Sequence, residues 1–200
     1  MSKIVLASSN PGKLREFQEI FQSTGIQLVP QSEFGVLDAD ETGLSFVENA
    51  IIKARNASAI TGMASLSDDS GIEVDALKGA PGIYSARYGG ATGTHADSAN
   101  NEKLLEALKD VSDDQRTARF QCVIVYMQHA QDPTPLICQG TWEGRILHSA
   151  NGVNGFGYDP LFYVPTHDCA SAQLDKAVKN SLSHRGQALR QLIRCWHNRP

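Results

Sequence analysis

The stretch Lys3-Ile4-Val5-Leu6-Ala7-Ser8-Ser9-Asn10-Pro11-Gly12-Lys13-Leu14-Arg15-Glu16-Phe17 decides how the chain is read. Ile4-Val5-Leu6-Ala7 is a short apolar run that suits a buried strand. Leu14, Phe17 and Phe21 recur at helical spacing, and Gly25 can stop that helix. Between them lies SSNPGK, a turn of small residues. A strand-to-helix turn leaves backbone N–H groups at the positive end of the helix, where an anion is favoured. Ser8, Ser9 and Asn10 add small hydrogen-bonding side chains, and Lys13 adds a mobile charge. The turn is not a Walker A loop, G-x-x-x-x-G-K-[ST]. Ala7 stands where the first glycine should be, and Leu14 where the hydroxyl should be. On this stretch alone, an ordinary helix cap with a solvated lysine competes with phosphate binding.

Outward from the opening, Ile26 to Val29 reads as a second strand ended by Pro30. Ser45-Phe46-Val47-Glu48 fits a capping box. The helix it starts puts Val47, Ala50, Ile51 and Ala54 on one face, and Gly62 closes it. A short strand near Met63 to Ser67 leads into Asp68-Asp69-Ser70-Gly71, and Ile72 to Leu77 then alternates as a half-buried strand should. Lys78 to Thr94 is glycine-rich and reads as a long loop. Asn101 to Lys109 reads as a helix, Phe120 to Tyr126 as a strand, and Leu136–Gln139 with Thr141–Leu147 as a hairpin. Gly152 to Asp159 is a turn, Leu161 to Val164 a strand, and a last helix starts near Ser183 with Leu189, Leu192, Ile193 and Trp196 inward. Helices alternate with strands early and strands cluster late, which predicts an α/β fold around a mixed sheet. The glycine-rich middle separates two lobes of one domain spanning residues 1–200.

The chain has 200 residues, 41% hydrophobic and 20% charged, with a formal charge of −4. That balance attracts no polyanion, so no nucleic-acid partner is expected, and a phosphate ligand needs local positive charge or a metal. No apolar run approaches the roughly 20 residues of a membrane span. The N-terminus reads as a strand, not a signal peptide. The four cysteines are far apart in sequence, with no C-x-x-C, which suits reduced thiols in a cytoplasmic protein.

The carboxylates carry the chemistry. Asp68 and Asp69 follow a strand, where active-site groups commonly sit in α/β sheets. Neighbours on an extended chain point to opposite faces, so the two are not expected to act as one dyad. One should face the site, and the other should cap a turn or bind backbone. Asp40-Glu41 lies just before the capped helix. A carboxylate from each of two segments, plus substrate phosphates, is a usual magnesium arrangement. Gly155-Phe156-Gly157-Tyr158-Asp159-Pro160 resembles a dinucleotide fingerprint but opens no helix. A flat base can stack on Phe156 or Tyr158. Lys179 and Ser183-His184-Arg185-Gly186 sit at the start of the final helix, off its apolar face. No nucleophile elbow and no zinc spacing is present.

Six segments stand in one order: SSNPGK; Asp40-Glu41-Thr42-Gly43 to Phe46-Val47-Glu48-Asn49-Ala50; Leu66-Ser67-Asp68-Asp69-Ser70-Gly71; Gly79-Ala80-Pro81-Gly82-Ile83-Tyr84-Ser85-Ala86-Arg87-Tyr88; Gly155 to Pro160; and Ser183-His184-Arg185-Gly186. Over nearly the whole chain this resembles the inosine/xanthosine triphosphate pyrophosphatase family, house-cleaning enzymes for non-standard purine nucleoside triphosphates. The resemblance implies an elongated central mixed sheet with flanking helices, and two lobes around a nucleotide-binding cleft. It implies a cytoplasmic, Mg²⁺-dependent homodimer that cleaves ITP, dITP or XTP to the monophosphate and pyrophosphate. By the same resemblance, Ser8, Ser9, Asn10, Pro11, Gly12 and Lys13 bind the triphosphate. Glu41 and Asp69 serve the metal, with Asp69 the base for the attacking water, and the Asp40/Glu41 choice stays open. Lys53, Ser70, Phe156, Gly157, Tyr158, Asp159, Lys179, His184 and Arg185 line the substrate. A pyrimidine triphosphate pyrophosphatase and a nucleotide sensor are the competing readings.

Overall fold

The opening strand, turn and helix are present in the computed structural model, which describes residues 3–22 and 24–197. Strand β1 (Lys3–Leu6) feeds helix α1 (Pro11–Phe21). Strand β2 (Gln27–Pro30) returns parallel to β1, with Ile4 opposite Leu28 and Val5 opposite Val29. Helix α2 (Phe46–Thr61) starts as the capping box predicts, in a slightly widened form. Glu48 N–H donates to Ser45 Oγ at 3.4 Å, while the Glu48 carboxylate accepts the Leu44 N–H at 2.9 Å and the Ser45 hydroxyl at 2.7 Å. Gly62 ends the helix at φ 68°, a left-handed conformation that glycine adopts without steric penalty.

Several boundaries differ from expectation: the strand read over Ile72 to Leu77 gives way to a 3-10 turn at Asp75–Leu77, the helix read from Asn101 starts at Ala96, and two further differences change an element. Asp68-Asp69-Ser70-Gly71 is not a break: strand β3 (Ser65–Val74) runs straight through it. The expected hairpin at Gly140 is a single strand, after β4 (Thr117–Met127) and labelled β5 (Leu136–Ile146). Its inward positions Cys138, Gly140, Trp142, Gly144 and Ile146 keep strict period-two burial across the glycine, which a turn would have broken. The chain also forms α3 (Ala96–Ala107), β6 (Phe162–Val164), β7 (Cys169–Ala170), α4 (Lys176–Leu182) and α5 (His184–His197). The expected loop after Lys78 contains a 3-10 turn at Gly82–Arg87.

The strands form one sheet in the order β2-β1-β3-β4-β5-β6-β7. The β1–β2 and β1–β3 pairs are parallel, and β5–β6 and β6–β7 antiparallel, so the sheet is mixed as expected. Two compact units divide the chain: Met1–Asp69, Cys122–Gly140 and Arg185–Pro200 form the first, Ser70–Gln121 and Thr141–His184 the second.

In the first unit, strand alternation sorts side chains into two layers. Leu66 of β3 and Cys122, Ile124 and Tyr126 of β4 pack with Phe17 and Phe21 of α1 and Leu189 and Leu192 of α5. The intervening Val123, Val125 and Met127 pack with Ala50 and Ala54 of α2. On β3 the intervening residues are Ser65 and Ser67, whose hydroxyls donate to the Ala54 and Ala50 carbonyls of α2 at 2.7 and 2.6 Å. Odd positions of β3 therefore face α2, and even positions face α1 and α5.

The second unit has its own core, including Ile72, Leu104, Phe120, Trp142 and Phe162. The Phe162 ring sits 4.6 Å from Phe120 and 5.1 Å from Trp142, in tilted contacts that aromatic quadrupoles favour. Arg116 is buried there, its guanidinium donating to the Ile146, Leu108 and Leu147 carbonyls at 2.9, 2.7 and 3.0 Å. The Leu108 carbonyl lies at the end of α3, where it also accepts the Val111 N–H at 3.0 Å, and the other two lie at and just past the end of β5.

Candidate active site

The parity of β3 assigns its two aspartates different surroundings. Asp68, at an even position, faces α1 and α5. Lys13 Nζ lies 3.2 Å from its Oδ2, and Arg185 Nε and Nη2 donate to the same oxygen at 3.3 and 3.1 Å. Through Nη1, Arg185 also donates to Glu16 on α1. Asp69, at an odd position, faces α2. Lys53 Nζ on that helix donates to Asp69 Oδ1 at 2.7 Å and to Glu41 Oε1 at 2.9 Å.

The electrostatics of the two carboxyls diverge accordingly. Asp68 is 1% exposed. Burial opposes its charge, but Lys13, Arg185 and Lys53 outweigh that and hold it well below the usual carboxylate range. At Asp69 burial is the stronger influence and raises the pKa, with Lys53 and Lys13 offsetting it only in part. Its buried Oδ2 has no hydrogen-bond partner. Burial likewise works against the Lys53 charge, but Asp69, Asp68 and Glu41 overcome it and raise that pKa. Environments that push two neighbouring titratable groups apart separate a fixed anion from a working base. Cys122 lies beside Asp68, and burial together with that charge pushes its thiol far up, which makes it a poor nucleophile.

The opening turn is engaged from within. Asn10 Oδ1 accepts the Gly12 and Lys13 N–H groups at 2.9 and 3.1 Å, so the first-turn amides of α1 already have an acceptor. Ser8 Oγ accepts the Asn10 N–H at 3.3 Å, and the Ser9 hydroxyl donates to Asp38 Oδ2 at 2.5 Å. Pro11 begins the helix. Lys13 is the residue of this turn whose charge reaches the aspartates. Of the neighbours Asp40 and Glu41, Glu41 is the one joined to Asp69 through Lys53, while Asp40 is exposed.

The second unit carries a separate set. Asp159 is 3% exposed; its Oδ2 accepts from Lys179 Nζ at 2.6 Å and from the Phe156 N–H at 2.9 Å, and its Oδ1 from the Ser171 hydroxyl at 2.9 Å. Gly155, at φ 79°, leaves room for that carboxylate, which a Cβ would strike. The Lys179 ammonium sits 5.2 Å from the centre of the half-buried Phe156 ring. Gly157 is fixed at both ends, its N–H donating to Asp97 and its carbonyl accepting from Asn101. Of the two aromatic faces expected to meet a base, Tyr158 is in the core with its hydroxyl on the Ser85 carbonyl at 2.8 Å, which leaves Phe156. His184 stacks on Phe120 at 4.8 Å with 13° between the planes. His184 and Arg185 are thus buried by stacking and ion pairing, although they lie off the apolar stripe of α5. Ser70 follows Asp69 on β3, half-buried.

Glu16, on Arg185, and Asp38, on Ser9, join the site without belonging to any of the six segments. Glu16 stands three residues after Lys13, a spacing that puts both on one helix face and could have flagged it. No comparable local signal marks Asp38. Among the described residues, no group of three or more His, Cys, Asp or Glu is arranged to hold a metal ion. Glu41 and Asp69 share one ammonium, and Asp69 keeps an unpartnered oxygen. That pair fits a hard cation that takes one or two carboxylates and completes its shell with water and substrate phosphate. No described helix is long and apolar enough to cross a membrane.

A mixed α/β sheet that carries two neighbouring buried aspartates with pKa values moved in opposite directions is the kind of site an α/β enzyme builds. The particular lineage is clear: the chain matches the Ham1 family over residues 4–195 and belongs to it. It is 57% identical over 194 residues to a dITP/XTP pyrophosphatase of Vibrio cholerae serotype O1, covering 97% of this chain and 96% of that one. It is 59% identical to a protein of the same name from Thioalkalivibrio sulfidiphilus, with 96% of each chain covered. In three dimensions it is similar to a HAM1 protein from Coxiella burnetii, with a TM-score of 0.91 and 51% identity over the whole of both chains. A Ham1 protein from Staphylococcus aureus gives 0.85 and 42%, over 98% of each.

Proposed function

We propose that this chain hydrolyses the deaminated purine nucleoside triphosphates ITP, dITP and XTP between the α- and β-phosphates, releasing monophosphate and pyrophosphate. The observation that carries the reading is the contrast between Asp68, a buried anion whose Oδ2 is held by Lys13 and Arg185, and Asp69, a carboxyl that burial makes more basic and that shares one ammonium with Glu41. Asp69 orients the attacking water and takes its proton. Lys13 and Lys53 bring positive charge to the phosphate oxygens as they are displaced. Asp68 fixes Lys13 without itself meeting the reacting atoms. A Mg²⁺ ion held by Glu41 and Asp69 with the substrate's phosphates would supply further charge neutralisation.

In the second unit, Phe156 offers a ring face and Lys179 a cation beside it for the base. Hypoxanthine and xanthine carry a 6-keto acceptor where adenine carries an amino donor. Donors placed for that oxygen are left unpaired by adenine, and such mismatches discriminate strongly. The names of the relatives, dITP/XTP pyrophosphatase, agree with this choice. The reading extends to a homodimer, which light scattering on the purified chain tests, and to the cytoplasm, which cell fractionation tests.

The decisive experiment is product release from ITP, XTP, dITP, ATP, GTP and dTTP, with Mg²⁺ and with chelator. Pyrophosphate from the three deaminated purines, in Mg²⁺ only, is the expected result. Equal rates on ATP and ITP overturn the specificity. Orthophosphate as the sole product overturns the cleavage site.

A further inference from the structure

The first unit holds one arrangement that hydrolysis by itself does not explain. Lys53 comes from the middle of α2, its side chain only 14% exposed, and its ammonium bridges the two carboxylates at 2.9 and 2.7 Å. The cation therefore stands against the oxygens that face each other across the pair, and Asp69 Oδ2 is the buried oxygen left over. A divalent ion taking the same facing oxygens would lie against an ammonium, and like charges at such separations repel by several kcal/mol outside bulk water. Both cannot hold these oxygens together. Lysine is the residue suited to yielding, because its point charge rides on a flexible four-carbon stem.

Resting on the hydrolytic reading above, we infer that Lys53 is the built-in counter-cation of the Glu41–Asp69 pair and closes it to free metal. An arriving triphosphate offers Lys53 a stronger anionic partner. The ammonium swings to the phosphates, and the two carboxylates, their counter-charge gone, would hold a divalent ion brought with the nucleotide, not before it. Lys53 is thus a positioning residue that sets the order of assembly, since metal and nucleotide each favour the state the other needs.

The test is Mn²⁺ binding without nucleotide, followed by electron paramagnetic resonance and by calorimetry, in the wild type, Lys53→Met and Lys53→Gln. Both variants should bind Mn²⁺ at least about tenfold more tightly than the wild type. Mn²⁺ should also raise their melting temperatures more than it raises that of the wild type, which reports on the fold at the same time. A triphosphate with a methylene bridge between its α- and β-phosphates should bring wild-type Mn²⁺ affinity up to the level of the variants. Equal or weaker binding by the variants overturns the inference, as does a wild type whose metal affinity ignores the nucleotide analogue. If Lys53→Met does not fold, Lys53→Gln decides, because it keeps the length and polarity without the charge. Full turnover by the wild type in chelator would remove the metal from the reaction altogether. Strict Mg²⁺ dependence together with unchanged Mn²⁺ binding in the variants would sink the role of Lys53 alone.

Discussion

On one side of β3, Asp68 meets Lys13, Arg185 and, through Arg185, Glu16; on the other, one residue along, Asp69 meets Lys53 and through it Glu41. Both aspartates are buried and both touch a lysine. Their pKa values nevertheless move in opposite directions, because two close cations on one oxygen outweigh burial and a single shared ammonium does not. The Asp68 side is a closed ionic knot of the kind that is costly to break. Residue type and burial do not set the direction of these shifts; the number of cations facing each carboxylate does.

The comparison breaks most visibly by removing the reactive side. Asp69→Asn should lower turnover by about 10²–10⁴-fold, the usual contribution of a general base, while nucleotide binding persists. Steady-state kinetics beside calorimetric titration would read both, and full activity in that variant would strip Asp69 of its role. Asp68→Asn should act on the other quantity. It leaves Arg185 and Lys13 short of an anion in a buried site and should destabilise by about 3–5 kcal/mol, seen as a lower denaturant midpoint. Stability unchanged in Asp68→Asn would erase the distinction.

The effect of pH sharpens the contrast further. Asp69 has a raised folded-state pKa, so it is protonated over a wider acid range, and the acid limb of kcat/KM, which reports the free enzyme, should lie above the ordinary carboxylate value of about 4. The Asp68 value is lowered on folding. Its contribution to stability is therefore present above the ordinary carboxylate range and is lost only as pH falls through the lowered value, in strong acid. Melting curves and rate profiles over the same pH series would separate the two. Smallest of all, Ser67→Ala removes one hydroxyl bond to the Ala50 carbonyl and should cost about 0.5–1.5 kcal/mol, with kcat unchanged. A large loss of rate in that variant would mean that α2 sets the placement of Lys53 more tightly than the ion pairs do.

Much of this was legible in the chain. Period two alone put Asp68 and Asp69 on opposite faces, and Ser45 with Glu48 announced the start of α2. The segment around the aspartates misled because Asp-Asp-Ser-Gly is turn chemistry by residue type. What makes it a strand is neutralisation by residues remote in sequence: Arg185 lies 117 positions from Asp68 and Lys13 comes from the chain's opening. No local window contains those cations. The interior partner expected for one aspartate was backbone, and it is an ion pair instead. At Gly140 the opposite error arose, since a glycine between two apolar runs reads as a turn, while the alternation from Cys138 to Ile146 was there to be counted. Tyr158 shows the limit of composition, because an aromatic beside glycines is equally consistent with a ligand face and with the core that it joins.

The uninterrupted course of β3 through its two acids makes the division of labour a matter of odd and even. A single residue gained or lost between Ser65 and Asp68 would turn Asp69 toward Arg185 and Asp68 toward Lys53, exchanging their ion-pair partners without altering one side chain. Length in this strand is therefore constrained more tightly than composition, and insertions that the exposed loops of the chain can absorb would here reverse the wiring of the site.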